Sequence, residues 1–285
     1  MQPTLWCNGA LLESAQSHAL AADRGLQYGD GHFTTVLVRH RQPLFWSYHL
    51  ARLAQASQRL GLQSPDPDQL TDQLNAAIAH AYQQWSAELE PPVEADAARL
   101  LAKIMVTSAG VSQGYERQTD TIQVWFKLQL LAPETLTDTP LQLAIADLQL
   151  SHQPQLAGLK TLNRLEQVLL AKERRWRGVD ELVVCDQYGQ VCEAISSNIF
   201  WYDGQQWFTP ALESCGIAGV ARAALIDSGG LGEVQVGQFD VSALLQADSV
   251  FLCNSVRGIR AVGQIGTQRF AGEQNMQQIR ELLWR

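Results

Sequence analysis

Short strand-like segments joined by tight turns, broken by single amphipathic helices and never alternating regularly with them, constrain the fold of this 285-residue chain more than any other feature. That order points away from repeated strand–helix–strand units and predicts an α+β architecture in two lobes. Leu5-Trp6-Cys7 and Ala10-Leu11-Leu12 flank Asn8-Gly9, a pair that accepts positive φ at both turn positions, so a hairpin is expected at the start. Residues 33–38 and 44–46 read as strands across an Arg41-Gln42-Pro43 turn. Residues 100–107 and 121–131 read as another pair, and residues 141–150 alternate as a further strand. Residues 182–185 and 191–195 form an expected hairpin around Asp186-Gln187-Tyr188-Gly189. Residues 199–202 and 206–209 form the next, across Asp203-Gly204, and 250–253 is the last strand.

The helices interrupt this pattern. Residues 48–60 place Leu50, Leu53, Ser57 and Leu60 along one side, and residues 68–85 place Leu70, Leu74, Ile78 and Tyr82 on one stripe. A helix over 162–177 is expected to bury Leu162, Leu165, Val168 and Leu169, with Asn163 and Glu166 as a capping pair and Gly178 beyond its end. Further helices are expected after Gly216-Ile217-Ala218-Gly219 and over 272–284. Between them, residues 23–31 form a glycine-punctuated loop. The proline- and threonine-containing stretch 132–140 has no period. It is the expected linker between a smaller N-terminal domain, 1–131, and a larger C-terminal domain, 141–285.

Composition narrows the function classes. A net charge of -8 argues against nucleic acid or an anionic membrane as partner, since both need a basic face. No run approaches the roughly 18 apolar residues of a membrane span, and the N-terminus lacks the pattern of a secretory leader, so a cytoplasmic location is expected. The five cysteines are scattered without a C-x-x-C spacing and read as reduced, mostly buried residues. No histidine belongs to an i, i+4 pair or an H-E-x-x-H helix, so no metal site is expected from spacing.

Besides Lys160, three polar features of the second half could address one ligand. Lys160 stands just outside a helix N-terminus, where a lysine is ordinarily a solvated charge. Glu193 lies in an apolar strand, where a carboxylate is costly to bury unpaired, so either that face is solvated or the residue meets an arginine. Gly216 to Gly219 opens a helix whose backbone N–H groups could cradle a phosphate, or is a plain glycine turn. Asn254-Ser255 could add a hydroxyl to the same anion.

Taken in order, Leu159-Lys160-Thr161-Leu162-Asn163-Arg164-Leu165-Glu166-Gln167-Val168, then Val191-Cys192-Glu193-Ala194 with Asn198-Ile199-Phe200, then Gly216-Ile217-Ala218-Gly219, resemble the fold-type IV pyridoxal phosphate enzymes. The segment Tyr28-Gly29-Asp30-Gly31-His32-Phe33-Thr34-Thr35 and the run His49-Leu50-Ala51-Arg52-Leu53 match as well, so the resemblance spans nearly the whole chain. Within that class the K-x-L-N-R-L-E-Q-V string is most similar to the aminodeoxychorismate lyase family. The resemblance implies a two-domain α+β fold of the D-amino-acid aminotransferase-like kind, a homodimer, and pyridoxal 5'-phosphate as cofactor. It implies that Lys160 holds the cofactor covalently and moves protons, that Glu193 pairs with the pyridine nitrogen, and that Arg52, the amides of Ile217 and Ala218, and Ser255 bind the phosphate. The implied reaction turns 4-amino-4-deoxychorismate into 4-aminobenzoate and pyruvate, a step of folate biosynthesis. The alternative is an aminotransferase acting on D-amino acids or branched-chain amino acids.

One loop departs from the family pattern. Residues 107–115 carry Ser108 and Gln113 where many relatives have arginines, so the substrate carboxylates need other donors, and Tyr115, Arg257 and Arg260 are the candidates. The same loop contains Gly110-Val111-Ser112-Gln113-Gly114, a G-x-S-x-G pattern that would make Ser112 a hydrolase nucleophile. A nucleophile elbow leads into a helix, whereas this loop leads into a strand-like segment, and His152 is the only histidine after Ser112.

Overall fold

The computed structural model describes residues 5–7, 10–12, 23–88, 99–109, 114–131, 139–270 and 276–283. The chain begins with the expected hairpin, β1 (Leu5–Cys7) and β2 (Ala10–Leu12), pairing Leu5 with Leu12. Its Asn8-Gly9 turn lies outside the described residues.

The glycine-punctuated loop is partly helical, which its three glycines conceal in the sequence. Asp23 caps α1 (Arg24–Tyr28) by accepting from the Leu26 N–H, and Gly29 ends it at a φ of 67°. A four-stranded antiparallel sheet follows, in the order β4-β3-β5-β6, from β3 (Gly31–Arg39), β4 (Gln42–Pro43), β5 (Arg99–Ser108) and β6 (Ile122–Leu131). The turn between β3 and β4 falls at His40 and Arg41, both at positive φ, and Arg39 pairs with Gln42. Two-residue turns of that twist suit a hairpin. They bring the chain back two residues sooner than the expected strand over 44–46, where a helix already begins. The helices α2 (Trp46–Leu60) and α3 (Pro67–Glu88) cover this sheet. The α3 stripe is as expected: Leu70, Leu74, Ile78 and Tyr82 are buried against Val36, Val38, Leu100 and Ile104. Each such side chain contributes about 1.5–3 kcal/mol.

The second sheet runs β12-β11-β10-β13-β14-β7-β8-β9, with β15 beside β14. In chain order its elements are β7 (Leu141–Ile145), α4 (Leu165–Arg177), β8 (Glu181–Cys185), β9 (Val191–Ala194), β10 (Asn198–Tyr202) and β11 (Trp207–Pro210). They continue with α5 (Val220–Asp227), β12 (Val234–Gly237), α6 (Val241–Leu245), β13 (Ser249–Asn254), β14 (Gly258–Ile265), β15 (Gln268–Arg269) and α7 (Met276–Leu283). The sheet is mixed, since β7 pairs in parallel with both β8 and β14. It curls, and the Ala194 N–H at the end of β9 donates to the Ser197 carbonyl just before β10. Leu143, Val183, Val191, Ile199, Trp201, Val250 and Val262 fill the resulting core. The expected linker lies mostly outside the described residues, between the end of β6 at Leu131 and the start of β7 at Leu141.

The helix after Lys160 differs from expectation. It starts at Leu165, its N-cap is Arg164 without a side-chain cap bond, and so the Asn163–Glu166 pair does not cap it. Leu165, Val168 and Leu169 are 76, 62 and 53% exposed, while Leu170 is the buried residue. The cause lies upstream, where Thr161 bridges His32 of β3 and the Leu162 N–H donates to the Gly31 carbonyl. Leu162 is therefore off the helix, over Gly25 and Gly31. Among the described residues no helix is long and apolar enough to cross a membrane.

Candidate active site

Lys160 is held from both sides. The Phe33 N–H donates to the Lys160 carbonyl at 2.9 Å and the Leu162 N–H to the Gly31 carbonyl at 3.0 Å, tying the segment to β3. Two residues earlier the Gly158 N–H donates to Gly216 and its carbonyl accepts from the Ala218 N–H, tying the same segment to the loop before α5. Gly158 takes a φ of 78° to make this possible. The lysine is thereby strung between the two sheets. The start of β3 is fixed in turn by Asp30, whose carboxylate is paired with both Arg24 and Arg117.

The Lys160 side chain reaches a cavity of about 280 Å³ that Arg52, Glu193, Ser255 and Arg257 also line. Burial first, and then the Arg52 charge, lower its pKa from the usual lysine value to about 8; Glu193 pulls the other way. Its Nζ lies 4.9 Å from the centre of the Phe33 ring, with Lys103 Nζ 4.4 Å from the same centre. Glu193 is buried, as a residue of β9 that points into the cavity. The spacing left a solvated face or an arginine partner open; instead the residue is buried and the Ile217 N–H donates to its Oε2 at 2.8 Å. Burial raises its pKa, against the lowering effects of that amide and of Lys160 and Arg164. Gly216, at a φ of 79°, brings this loop so close that an added Cβ would lie 3.4 Å from Glu193 Oε2.

At the other end of the cavity Arg52, from α2, donates to the Ala218 carbonyl at 2.6 Å, and burial lowers its pKa to about 10. Ser255 follows β13 and donates from Oγ to the Thr35 carbonyl at 3.1 Å. The two amides expected to face an anion are already used, Ile217 by Glu193 and Ala218 by Gly158. The reason is that Ile217 bridges Gly158, which pairs this loop with the lysine segment instead of opening the helix. The helix N-terminus comes slightly later. Gly219 is its N-cap, without a side-chain cap bond, and the first-turn N–H groups of Val220 and Ala221 have no helical partner. Gly219 and Val220 both line the cavity. Gly219 is required there, since a Cβ would lie 1.9 Å from Asn198 Oδ1.

Of the expected substrate contacts, exposed Arg257 lines the cavity, whereas Arg260, on β14, does not. Tyr115 is also away from it, 87% exposed, with its ring 5.3 Å from that of Tyr28. Ser108 is buried at the end of β5. Ser112 and Gln113 lie outside the described residues, and His152, the histidine that a Ser112 hydrolase would need, pairs with Asp186 at 2.7 Å. Sequence reasoning missed Thr35, Asn198 and Val220 as cavity residues, while Gly219 belongs to the turn expected to cradle a phosphate. Asn198 had a signal, since it belongs to the Asn198-Ile199-Phe200 run, but its contact with the Ile217 carbonyl is long-range.

A lysine amine of lowered pKa, a buried carboxylate and an end combining a guanidinium, a helix N-terminus and a hydroxyl form a donor set suited to a ligand with an aldehyde, a basic ring nitrogen and a phosphate. A family model described as amino-transferase class IV matches residues 31–265. The chain is 32% identical to an aminodeoxychorismate lyase of Vibrio harveyi, over 91% of this chain and 90% of that one. It is similar to the crystal structure of 4-amino-4-deoxychorismate lyase from Pseudomonas aeruginosa, at 30% identity and a TM-score of 0.76, covering 96% of this chain and 95% of that one. A hypothetical aminotransferase from Mycobacterium tuberculosis, in a PLP-bound form, shares the fold at 18% identity and a TM-score of 0.76, covering 97% of this chain and 95% of the other.

Proposed function

The chain belongs to the amino-transferase class IV family, and we propose that within it this protein is an aminodeoxychorismate lyase, converting 4-amino-4-deoxychorismate to 4-aminobenzoate and pyruvate. The observation that carries the reading is the convergence of Lys160, Glu193 and Arg52 on one cavity, in a chain whose similarity to lyases extends over nearly its full length.

The residues fit pyridoxal 5'-phosphate. Arg52, Ser255 and the first-turn amides of Val220 and Ala221 would hold its phosphate, and Glu193 Oε1 would face its ring nitrogen while Oε2 keeps the Ile217 N–H. When bound, the cofactor supplies an electron-withdrawing ring linked to the substrate nitrogen, which acidifies the adjacent C–H bond. Glu193 would keep that ring nitrogen protonated. Lys160, its pKa brought to about 8, is the tethering amine and then the base for the proton on C4, the carbon that bears the substrate's amine. Loss of that proton and of the enolpyruvyl oxygen from C3 completes the aromatic ring, and a proton returned to the released enol gives pyruvate. Arg257, at the cavity, is the proposed partner for a substrate carboxylate.

We also propose a homodimer. Leu26 and Tyr28 on α1 and Leu165, Val168 and Leu169 on α4 are exposed. The end of α1 lies beside the residues that lead into α4, since a Cβ added at Gly29 would lie 3.2 Å from Asn163. An apolar patch of this kind suits association with a second copy.

The alternative, an aminotransferase, would use the same cofactor contacts, so the test is chemical. Purified protein given 4-amino-4-deoxychorismate and no keto acid is expected to release 4-aminobenzoate and pyruvate together. Amino transfer from D-alanine or a branched-chain amino acid, with no 4-aminobenzoate, would reassign it.

A further inference from the structure

Four side chains that the proposed catalysis does not use converge beside the β8–β9 hairpin. His152 follows β7, Asp186 follows β8, Cys192 lies on β9, and Cys215 lies in the loop before α5. Donor atoms of His152, Asp186 and Cys215 all lie within 4.8 Å of one another. The sulfur of Cys192 is 3.1 Å from that of Cys215 but lies outside that group of three. A cavity of about 10 Å³ adjoins the cluster, lined by Asp186, Cys192, Cys215 and Glu213 but not by His152. We infer that this cluster is a binding site for a thiophilic divalent cation of the zinc class, with Cys215 Sγ, His152 Nε2 and Asp186 Oδ2 as the ligands already gathered and Cys192 Sγ as the fourth, reached by turning its side chain.

The donor chemistry selects the cation. Two sulfurs, one imidazole and one carboxylate suit a tetrahedral zinc-like ion and not calcium or magnesium, which take oxygen ligands. The surroundings orient the ligands. Asp186 Oδ1 accepts the Tyr188 and Gln190 N–H groups at 2.9 and 2.8 Å, which leaves Oδ2 on the His152 side. The His152 ring meets the Tyr188 ring at 4.9 Å, and its side chain is 24% exposed, so the cluster has an entry path from solvent.

Binding involves no change of oxidation state. The two thiols release their protons to solvent, His152 presents an unprotonated Nε2, and its present hydrogen bond to Asp186 gives way to one bond from each residue to the cation. No spacing in the sequence announces the site, because its four ligands come from four separate segments. Its position has a consequence for the cofactor cavity. Cys192 precedes Glu193, and Cys215 lies two residues before Ile217, whose N–H holds that carboxylate. A cation here would clamp β9 to the loop that supports Glu193.

The test is metal content, read independently of turnover. Protein purified under reducing conditions without chelator is expected to carry about one zinc per chain by elemental analysis. Cobalt(II) added to metal-stripped protein is expected to give the visible d–d absorption of a tetrahedral thiolate site. Cys215→Ser and His152→Asn should each lower cobalt affinity by about tenfold or more, with circular dichroism reporting that the chain is folded. Should those variants fail to fold, protection of two wild-type thiols from alkylation by added zinc reads the same property. Absence of both zinc and a cobalt spectrum in the wild type overturns the inference. So does an intact mass two hydrogens light under reducing purification, which would mean a Cys192–Cys215 disulfide instead.

Discussion

Glu193 and Lys160 are shifted towards each other by the same cause. Burial disfavours the charge on each, lowering the amine and raising the carboxyl, and each partly restores the other's charge. A cofactor whose ring nitrogen meets Glu193 would replace that mutual support with a tighter one. Glu193→Ala is therefore expected to bind pyridoxal phosphate, because the phosphate contacts at Arg52 and α5 remain, and to lose turnover by about 10²- to 10³-fold. Absorbance of the bound cofactor and the rate of 4-aminobenzoate formation separate the two effects. Unchanged turnover would remove Glu193 from the mechanism. At this scale the sequence was informative about residue type and poor about partners. Lys160, Glu193 and Arg52 could be named from their surrounding runs. The amides could not, because the bridge between Gly158 and Ile217 is a contact between residues far apart in sequence.

Among the elements, β3 and α2 share a buried pair of histidines. His32 Nε2 meets Ser57 Oγ at 2.9 Å and His49 Nδ1 meets Thr34 Oγ1 at 2.6 Å, with both rings fully buried. Burial lowers their pKa values from 6.5 to about 4 and about 3. The sign follows from linkage: below pH 6.5 the unfolded chain takes up protons that the folded one refuses, so this stability is present above pH 6.5 and is lost as pH falls towards the folded values. Glu193, raised by burial, acts oppositely in part of the same window, so the comparison is between variant and wild type. His32→Gln should flatten the fall of unfolding free energy between pH 6 and 5 by about 1.4 kcal/mol per pH unit, measured by denaturant titration. An identical slope would mean that His32 titrates normally. Element boundaries were legible where period and burial agree, as in α3, whose four stripe residues are all buried. They were misread at α4, where a helical spacing of leucines lies on an exposed face, and at 162–164, where pairing of the Leu162 N–H with Gly31 delays the helix to Leu165.

For the molecule as a whole, an α+β fold was readable from the mixture of hairpins and helices without regular alternation. The curl of the second sheet was not, since parallel pairs such as β7 with β8 join strands separated by a whole helix. The apolar patch on α1 and α4 also belongs to this scale. Packing within the chain leaves Leu165 76% exposed and Leu26 66% exposed. If a second copy covers them, Leu165→Glu combined with Leu169→Glu should convert a dimer to a monomer in sedimentation velocity, with the chain still folded by circular dichroism. A variant that sediments as the wild type does would place the interface elsewhere.

The central claim is that Lys160 moves the proton in an elimination that needs no amino acceptor. It is tested most directly by the initial rate of 4-aminobenzoate formation by Lys160→Ala, reconstituted with pyridoxal phosphate, with and without an added small primary amine. The expected result is a rate about 10²- to 10⁴-fold below wild type that rises with amine concentration. A Lys160→Ala rate close to wild type, indifferent to added amine, would contradict it.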